Sequence, residues 1–357
     1  MKLSLFPMTR DMCTIARNSA MLQGYTLTHL FVPGFFGMDG ADVSRLDGGN
    51  TANINLTNYT SNLLTECDAL YVDYDENLTD LTLYKEAINA AKNIDIKVVL
   101  SHKLARELNE EPNSWPCGNP LTENPDNDRL YRIKIPIITV LAHNVRVDQF
   151  AVELALRKYF IHLGYKVGQI GSTDLGCLFG IHTMPDFLYE PRDMYEKIIR
   201  FNHHVRNLVN TEQPELLIIG VPDPIMKYNH RILHGLGTVP YVICNGVQSD
   251  LHVMCTHYNK YKTPFFDELS LHCKYRLGSP VEFFSIANVS LVTDANATEP
   301  DKPKLKYLGL SNEFVQHGIQ DIDAGNYDLF NVLNDNLLKN ACDAIHEALT
   351  DNVCLML

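Results

Sequence analysis

The sequence predicts an α/β protein with two open, mainly parallel-sheet domains, and three observations lead to this prediction. Short apolar segments alternate with amphipathic segments along both halves of the chain, as strands and helices do in α/β domains. A proline-rich segment separates the two halves. The clearest unit, residues 135–170, reads as strand, turn, amphipathic helix and strand, and such units almost always join parallel strands.

The first domain is predicted to span residues 1–110. Strands are expected at Lys2–Phe6, Leu27–Val32, Ala69–Val72 and Ile96–Leu100, and helices at Arg10–Leu22, Leu81–Lys92 and Lys103–Glu110. The glycine-rich loop 33–49 fits either a ligand-binding loop or a set of tight turns. Asp73, Asp75 and Glu76 follow the third strand, where a solvated acidic loop fits better than a metal site.

Residues 111–132 form the predicted linker between the domains. Proline lacks a backbone N–H and fixes φ, so a high density of prolines interrupts both helix and sheet. The four prolines are Pro112, Pro116, Pro120 and Pro125. The only tryptophan, Trp115, lies in the same segment, and its indole is expected to pack on a domain surface.

The second domain is predicted to span residues 133–357. It opens with the strand Ile135–Leu141, which is expected to be adjacent and parallel to the strand Lys166–Ile170. Val152, Leu156 and Phe160 recur at helical spacing between them. Further strands are expected at Leu216–Val221, Tyr241–Cys244 and Val281–Ile286, and further helices at Met194–Val209, Phe265–Leu277 and Asn331–Thr350.

Composition and charge narrow the class of protein. The chain has 357 residues, enough for about two domains, and 45% of them are hydrophobic. Its formal net charge of −13 disfavours nucleic acid and anionic membranes as main partners. No run approaches the ~18 apolar residues of a membrane span. Nine dispersed cysteines without a C-x-x-C pair fit reduced thiols, so a cytoplasmic location is expected.

The turn between the first strand and helix of the second domain occupies the position of a phosphate-binding loop. Backbone N–H groups and the positive end of the helix dipole favour an anion at such a turn. A Walker A loop also needs glycines, a lysine and a Ser or Thr hydroxyl for Mg²⁺. Here Asp148, Gln149 and Ala151 stand where Gly, Lys and Thr are expected. The turn is therefore either purely structural or a modified ligand site.

Polar residues gather at the predicted carboxyl ends of the second domain's strands, where ligands of open α/β sheets bind. We expect Asp223, His182 and the turn 143–149 to share one pocket. The candidate ligand-binding residues are His143, Asn144, Arg146, Asp148, Gln149, Ser172, Thr173, Asp174, His182, Asp223, Asn229 and Asn245.

No metal centre is predicted. His203 and His204 are adjacent on a helix, where neighbouring residues point in different directions. The cysteines and histidines between Cys244 and Cys273 match no metal-ligand spacing. No G-x-S-x-G or H-E-x-x-H motif occurs, so the catalytic residues, and whether the chain is an enzyme, stay open.

Several motifs together resemble the clostridial "peptide maturation system protein" family. Genes of this family lie in ribosomal-peptide gene clusters, beside those for radical-SAM enzymes and Cys-rich precursor peptides. The motifs are LFPMTR (5–10), the loop 33–49, LALRKYFIHLGYKVGQIGS (154–172), LFGIHTMPDF (178–187) and LLIIGVPDPIMKYN (216–229). More distantly, the plan is similar to two-domain proteins with an N-terminal Rossmann-like and a C-terminal P-loop-NTPase-like domain. Some of those are described as N-acyltransferases of D-amino acids. The phosphate loop of this chain is degenerate by comparison.

The resemblance implies a pathway and not a reaction. One hypothesis is an accessory protein that binds a precursor peptide or a radical-SAM maturase on an NTPase-like scaffold without hydrolysing NTP. The alternative is a ligase or acyltransferase that acts in the interdomain cleft with a nucleotide or CoA donor. A dehydrogenase ranks last, because neither half carries a G-x-G-x-x-G fingerprint. The sequence does not identify a cofactor.

Overall fold

The computed structural model describes residues 1–75, 78, 80–110, 127–292 and 305–354. The chain divides into two compact units. Unit 1 comprises Met1–Gly118 and Asp174–Ile181, and unit 2 comprises Asn119–Thr173 and His182–Leu357. Glu76 and most of the predicted linker, including Trp115 and all four of its prolines, lie outside the described residues.

Unit 1 contains a parallel sheet of five strands in the order β3-β2-β1-β4-β5, a Rossmann-like arrangement. The strands are β1 (Lys2–Phe6), β2 (Thr26–Val32), β3 (Thr57–Asn58), β4 (Ala69–Val72) and β5 (Lys97–Leu100). The helices are α1 (Arg10–Arg17), α2 (Ser44–Asp47), α3 (Leu81–Asn93) and α4 (His102–Leu108). All four residues of β4 are buried, because helices cover parallel sheets on both faces.

Local signals explain where the helices of unit 1 begin. Thr9 accepts a hydrogen bond from the backbone of Met12 and caps α1, and Ser101 caps α4 in the same way. Helix α1 is shorter than predicted, since a 3₁₀ turn at Ser19–Met21 replaces its last residues. Six cysteines of the described residues carry free, buried thiols, whereas Cys177 is disulfide-bonded, so the expectation of only reduced thiols is wrong for Cys177.

The glycine-rich loop of unit 1 holds tight turns. Gly37, Gly40 and Gly48 have left-handed backbones, which only glycine adopts without strain. The Asp42 carboxylate accepts backbone hydrogen bonds from Ser44, Ala52 and Ile54. Burial opposes ionisation, yet these bonds outweigh it and lower the pKa of Asp42 to about 2. The hydrogen bonds to the Asp42 carboxylate therefore fix the conformation of this loop.

Unit 2 contains a parallel sheet of six strands in the order β13-β10-β9-β6-β8-β7, and the central strand β6 is buried along its full length. The strands are β6 (Ile137–Ala142), β7 (Val167–Ile170), β8 (Leu216–Pro224), β9 (Leu251–His257), β10 (Val281–Ala287) and β13 (Asp328–Phe330), beside an antiparallel pair β11 (Val289–Val292) and β12 (Lys306–Gly309). The helices are α5 (Gln149–His162), α6 (Met194–Glu212), α7 (Thr238–Gly246), α8 (Thr263–Arg276), α9 (Asn312–Gln320) and α10 (Asp335–Cys354). The predicted α/β class with two mainly parallel sheets is confirmed.

Strands β6 and β7 are parallel but not adjacent, so the prediction that they pair directly is wrong. Strand β8 lies between them and pairs with both. The crossover through α5 places β7 two positions away from β6 in the sheet. Strand β8, which follows α6, occupies the position between them. Periodicity identifies strands in a sequence, but it does not specify their order in the sheet.

The expected strand at Tyr241–Cys244 is also wrong, because these residues lie in α7. The strand of this region is β9, and all seven of its residues are buried. A short apolar run fits a buried strand and a buried helix turn equally well. The C-terminal helix α10 likewise begins four residues later than predicted, at Asp335. No helix in the described part of the chain is both long and apolar enough to cross a membrane.

Four successive residues before α7 have left-handed backbones, with φ of 43° at His234, 60° at Gly235, 57° at Leu236 and 69° at Gly237. An added Cβ at Gly237 would lie 2.0 Å from the carbonyl oxygen of Ile225, whereas one at Gly235 would meet nothing within 4 Å. The chain therefore needs glycine at 237 both for its φ and for close backbone contact.

Gly237→Ala is expected to destabilise the protein more than Gly235→Ala does. Both variants place a side chain on a left-handed backbone, at roughly 1–2 kcal/mol. Only Gly237→Ala also pushes Cβ into Ile225, which adds roughly 1–3 kcal/mol of overpacking. Urea unfolding followed by circular dichroism measures both. Equal losses for the two variants would contradict the proposed contact.

Candidate functional site

The carboxyl ends of β6, β8 and β9 lie side by side in unit 2. Ala142 pairs with Pro224 on one side and with Cys255 on the other. The backbone N–H of His143 donates to Cys255 at 2.9 Å, and that of Ile225 donates to Ala142 at 2.9 Å. The turn after β6 therefore starts between the ends of its two neighbours, which is where open α/β sheets bind ligands.

Strand β8 bulges at this edge. Val140 pairs with Gly220 and Ala142 with Pro224, so three residues of β8 face one of β6. Pro222 has no N–H to offer the ladder, and Asp223 has a left-handed backbone with φ of 65°. A bulge of this kind changes the direction of the strand end and leaves carbonyl groups without hydrogen-bond partners in the neighbouring strand.

Gln149 supplies the missing partners. Its side-chain Nε2 donates to the carbonyl oxygens of Val140 and Val221, each at 2.8 Å. One amide group therefore ties the end of β6 to the bulge of β8, and both of its N–H groups are used. Gln149 stands at the first position of α5, where a phosphate-binding loop has its lysine. Here the residue at that position holds two strands together.

Hydrogen bonds and two left-handed residues shape the turn itself. The buried Asn144 accepts from the backbone N–H of Val145 at 2.8 Å. His257 Nε2 donates to the carbonyl of Val145 at 2.9 Å, which sets the position of the ring proton. Arg146 and Asp148 have φ of 59° and 55°. The Arg146 guanidinium lies 5.0 Å from the centre of the Tyr307 ring, within cation–π range.

His143 is the titratable group that the turn places at the strand ends. Its Nδ1 lies 3.3 Å from Thr256 Oγ1, which lies 3.3 Å from the Tyr261 hydroxyl. Burial, and then the nearby His234, lower the pKa of His143 to about 4. The imidazole is therefore neutral at pH 7 and a weak base.

The structure brings part of the predicted site together. His143, Asn144, Arg146, Asp148 and Gln149 form one turn, and the register places Asp223 next to it. Desolvation by the neighbouring strands raises the pKa of Asp223, although the residue itself is exposed.

Asn229 shapes the loop after β8, where its Oδ1 accepts from the backbones of Arg231 and Ile232.

Other predicted residues lie elsewhere, which corrects the expectation of a single pocket. His182 forms a bridge with Ile170 on the outer edge of β7, three strand spacings or about 14 Å from β6. Its backbone N–H donates to Gln169, and its ring is hydrogen-bonded to Glu212. Ser172 and Thr173 follow β7, which β8 separates from β6. Asp174 belongs to unit 1.

The prediction that Asn245 follows a strand is wrong. Asn245 lies near the end of α7 and precedes β9, so it is at the amino end of that strand. Its Nδ2 donates to the carbonyls of Tyr241 and Arg276, a contact that holds helix ends. The error follows from assigning the strand to Tyr241–Cys244.

The same error hid residues that line the site. Thr256 and His257 end the true strand β9, and Tyr261 follows it. The segment LHVMCTH has four apolar residues and the β-branched Val and Thr, and this strand-like composition is the signal that could have identified them. Tyr307 lies far along the chain in β12, and only the fold brings it to Arg146.

A buried carboxyl group on α5 was also missed. Glu153 is fully buried, and its Oε2 accepts from the backbone N–H of Ser172 at 3.2 Å. Its carboxyl covers Gly220, where an added Cβ would meet it at 2.1 Å. Burial raises the pKa of Glu153 to about 7, against the lowering effect of Ser172. A glutamate inside the apolar stripe of α5 was the available signal. No cluster of metal-ligating side chains occurs among the residues described.

Comparisons with known proteins place the fold. A DUF1611 family protein from Anabaena variabilis matches 98% of this chain and 99% of its own, with a TM-score of 0.56 and 10% identity. A nucleotide-binding protein from Archaeoglobus fulgidus in complex with ADP covers 58% of this chain and 85% of its own, with a TM-score of 0.32 and 14% identity. A GTPase from Pyrococcus abyssi covers 61% and 98%, with a TM-score of 0.33 and 10% identity.

No protein-family profile and no curated protein matches the sequence. At 10% identity, the similarity to the Anabaena variabilis protein shows a shared fold alone. Fold and turn together define a two-unit α/β protein with a mainly parallel sheet in each unit.

Gln149→Met is expected to lower the free energy of unfolding by about 2 kcal/mol. The variant keeps the side-chain volume but removes two hydrogen bonds to Val140 and Val221. Urea unfolding measures the loss. Lys158→Met, at an exposed position of the same helix, is the control and should change stability by less than about 0.5 kcal/mol. Equal effects of the two substitutions would show that the amide does not hold the strands.

Glu153 is expected to make stability depend on pH. Its folded pKa of about 7 exceeds the ordinary value of 4.5, so its stabilising effect is complete below pH 4.5 and is lost as pH rises to about 7. Between these two pH values, the contribution of Glu153 to the free energy of unfolding falls by roughly 3 kcal/mol in total. Glu153→Gln should flatten the unfolding free energy between pH 5 and pH 8, roughly, relative to wild type. If the unfolding free energies of wild type and Glu153→Gln changed with pH in the same way, the raised pKa of Glu153 would be contradicted.

Proposed function

We propose that this protein is an accessory protein of ribosomal-peptide maturation that binds a precursor peptide or a partner maturase and does not hydrolyse NTP. The observation that carries the proposal is the Gln149 amide, which is fully used between Val140 and Val221. The resemblance of several sequence motifs to the clostridial peptide-maturation family supports the pathway. The proposal implies a cytoplasmic location, because precursor peptides are made there.

The charges of the turn support binding without phosphoryl transfer. That reaction needs positive groups and a hydroxyl-bound Mg²⁺ to cancel the charge on the phosphate oxygens. The turn instead offers Asp148, the neutral Gln149 and Ala151. Arg146 carries the positive charge, and its guanidinium stacks on Tyr307. Loss of one preorganised donor costs roughly 10²–10³ in rate, so losing both the lysine and the hydroxyl leaves little turnover.

The titration of the site also favours binding over catalysis. General acid–base catalysis works best when the pKa of the group lies near the working pH. His143 has a pKa of about 4, three units below neutrality, so it accepts a proton poorly. Hydroxyl groups of Thr256 and Tyr261 beside it are suited to hydrogen bonding with a bound ligand.

The second candidate is a ligase or acyltransferase with a nucleotide or CoA donor. One observation favours it: the His143 imidazole lies 3.3 Å from the Thr256 hydroxyl, which in turn lies 3.3 Å from the Tyr261 hydroxyl. An unprotonated imidazole is the form that removes a proton from an attacking amine or hydroxyl. His143→Ala would then abolish turnover, whereas an accessory role predicts no turnover to lose.

Purified protein is expected to release no phosphate from ATP or GTP above background, because the turn lacks both the lysine and the Mg²⁺-binding hydroxyl. Steady-state phosphate release measures this, with Gln149→Lys and Arg146→Ala as companion variants. Turnover of about 1 per second, within the range of ordinary kinases, that disappears in Arg146→Ala would overturn the proposal.

Binding is tested separately by thermal shift with ATP, CoA and a Cys-rich precursor peptide from a cluster of the family that the sequence resembles. A ligand at a hundredfold excess over its Kd stabilises the protein by about 2.7 kcal/mol. The accessory role predicts a shift with the peptide. A shift with CoA and none with the peptide would favour the acyltransferase.

A further inference from the structure

The loop between β8 and α7, residues 225–237, is held rigidly at both ends and at its tip. At its base, the N–H of Ile225 donates to Ala142 at 2.9 Å, and Gly237 packs directly on the Ile225 carbonyl. At the tip, Asn229 Oδ1 accepts from Arg231 and Ile232, and the N–H of Tyr228 donates to Ile232 at 3.0 Å. This loop is preorganised although it lies outside helices and strands over most of its length.

Its outer surface combines positive and apolar side chains. Lys227 and Arg231 are exposed. Tyr228 is 36% exposed, Leu233 is 47% exposed and Leu236 is 55% exposed. Leu236 holds a left-handed backbone, which is strained for a leucine, and yet presents its side chain to solvent. Exposed apolar side chains on one loop can form an interaction surface in a soluble protein.

The charge of the loop is opposite to that of the chain. The protein has a formal net charge of −13, but no aspartate or glutamate occurs from Pro224 to Ser249. Lys227 and Arg231 therefore give the loop 225–237 a positive charge in an acidic protein, with the exposed Asp223 just before it. Such a region attracts negatively charged partners and leaves the rest of the surface to repel them.

We propose that the loop 225–237 is a docking surface for an acidic peptide segment that carries apolar side chains. This inference rests on the proposed function and specifies the chemistry of its peptide partner. Lys227 and Arg231 would pair with carboxylates, while Tyr228, Leu233 and Leu236 would bury apolar side chains. Tyrosine and arginine are the residues most enriched at the energetic centres of interfaces. A preorganised loop also loses little conformational entropy on binding.

The probe is a fluorescein-labelled synthetic peptide in which Glu and Asp alternate with Leu and Phe, measured by fluorescence anisotropy on the full chain. Lys227→Glu/Arg231→Glu is expected to weaken binding at least roughly tenfold, because like charges then face each other. The matched control, Lys85→Glu/Lys158→Glu, makes the same change in net charge at exposed sites on α3 and α5 and should bind as wild type. Added salt should weaken wild-type binding, since screening acts within about 10 Å at 0.1 M.

A separate variant tests the apolar side chains of the proposed docking surface. Leu236→Asn keeps a residue that tolerates the left-handed backbone but removes the exposed aliphatic group. It should fold at least as stably as wild type and bind the probe several-fold more weakly. Unchanged affinity in this variant would overturn the apolar half of the proposal.

Three further results decide the rest. Equal weakening in both charge variants, or tighter binding of the same peptide with Lys and Arg in place of its acidic residues, overturns the docking surface. Tighter binding of a single-stranded RNA than of the acidic peptide also overturns it. Failure of the proposed function is distinct: the precursor peptide then does not bind wild type, although the synthetic acidic peptide still does. If the precursor binds wild type and Lys227→Glu/Arg231→Glu equally, the function stands and the docking surface is wrong.

Discussion

The end of the central strand in unit 2 depends on one side-chain amide. Strand β8 bulges where Pro222 cannot donate to the ladder, and the carbonyls of Val140 and Val221 need donors from elsewhere. Gln149 provides both N–H groups from the first position of α5. The contact fixes three elements at once: the end of β6, the bulge of β8 and the start of the helix. The same contact uses both N–H groups of Gln149, which stands at the helix position where a phosphate-binding loop has its lysine.

Backbone strain concentrates around this edge of the sheet. Of the nine non-glycine residues with left-handed backbones in the described part of the chain, five lie at or beside it. They are Arg146, Asp148, Asp223, His234 and Leu236. Strained conformations persist only where the surrounding contacts determine them, and they cluster at sites that bind or switch. Close packing of Gly237 on Ile225 and the hydrogen bonds of Asn229 provide those contacts here. These contacts fix the backbone at this edge of the sheet, where no glycine-rich phosphate loop is present.

Electrostatics separate the interior of this site from its surroundings. Burial keeps the His143 imidazole neutral at pH 7 and leaves the Glu153 carboxyl partly protonated, because its pKa is about 7. Positive charge is displayed further out, on Lys227 and Arg231 of the exposed loop and on Arg146, which stacks on Tyr307. Under the proposed function, these positive side chains would receive an acidic partner.

The sequence by itself determined the α/β class, most of the strands and the degenerate phosphate turn, because these depend on local patterns. Buried parallel strands read as apolar runs, and the absence of glycine, lysine and hydroxyl at 148–151 is visible residue by residue. The tertiary structure alone decided that β8 lies between β6 and β7, that Tyr241–Cys244 is helical and that His182 and Asn245 lie away from the turn. It also decided that Gln149 bonds two carbonyls and that Tyr307 meets Arg146. Strand order and side-chain partners depend on contacts between residues far apart in the chain, and periodicity carries no information about those contacts.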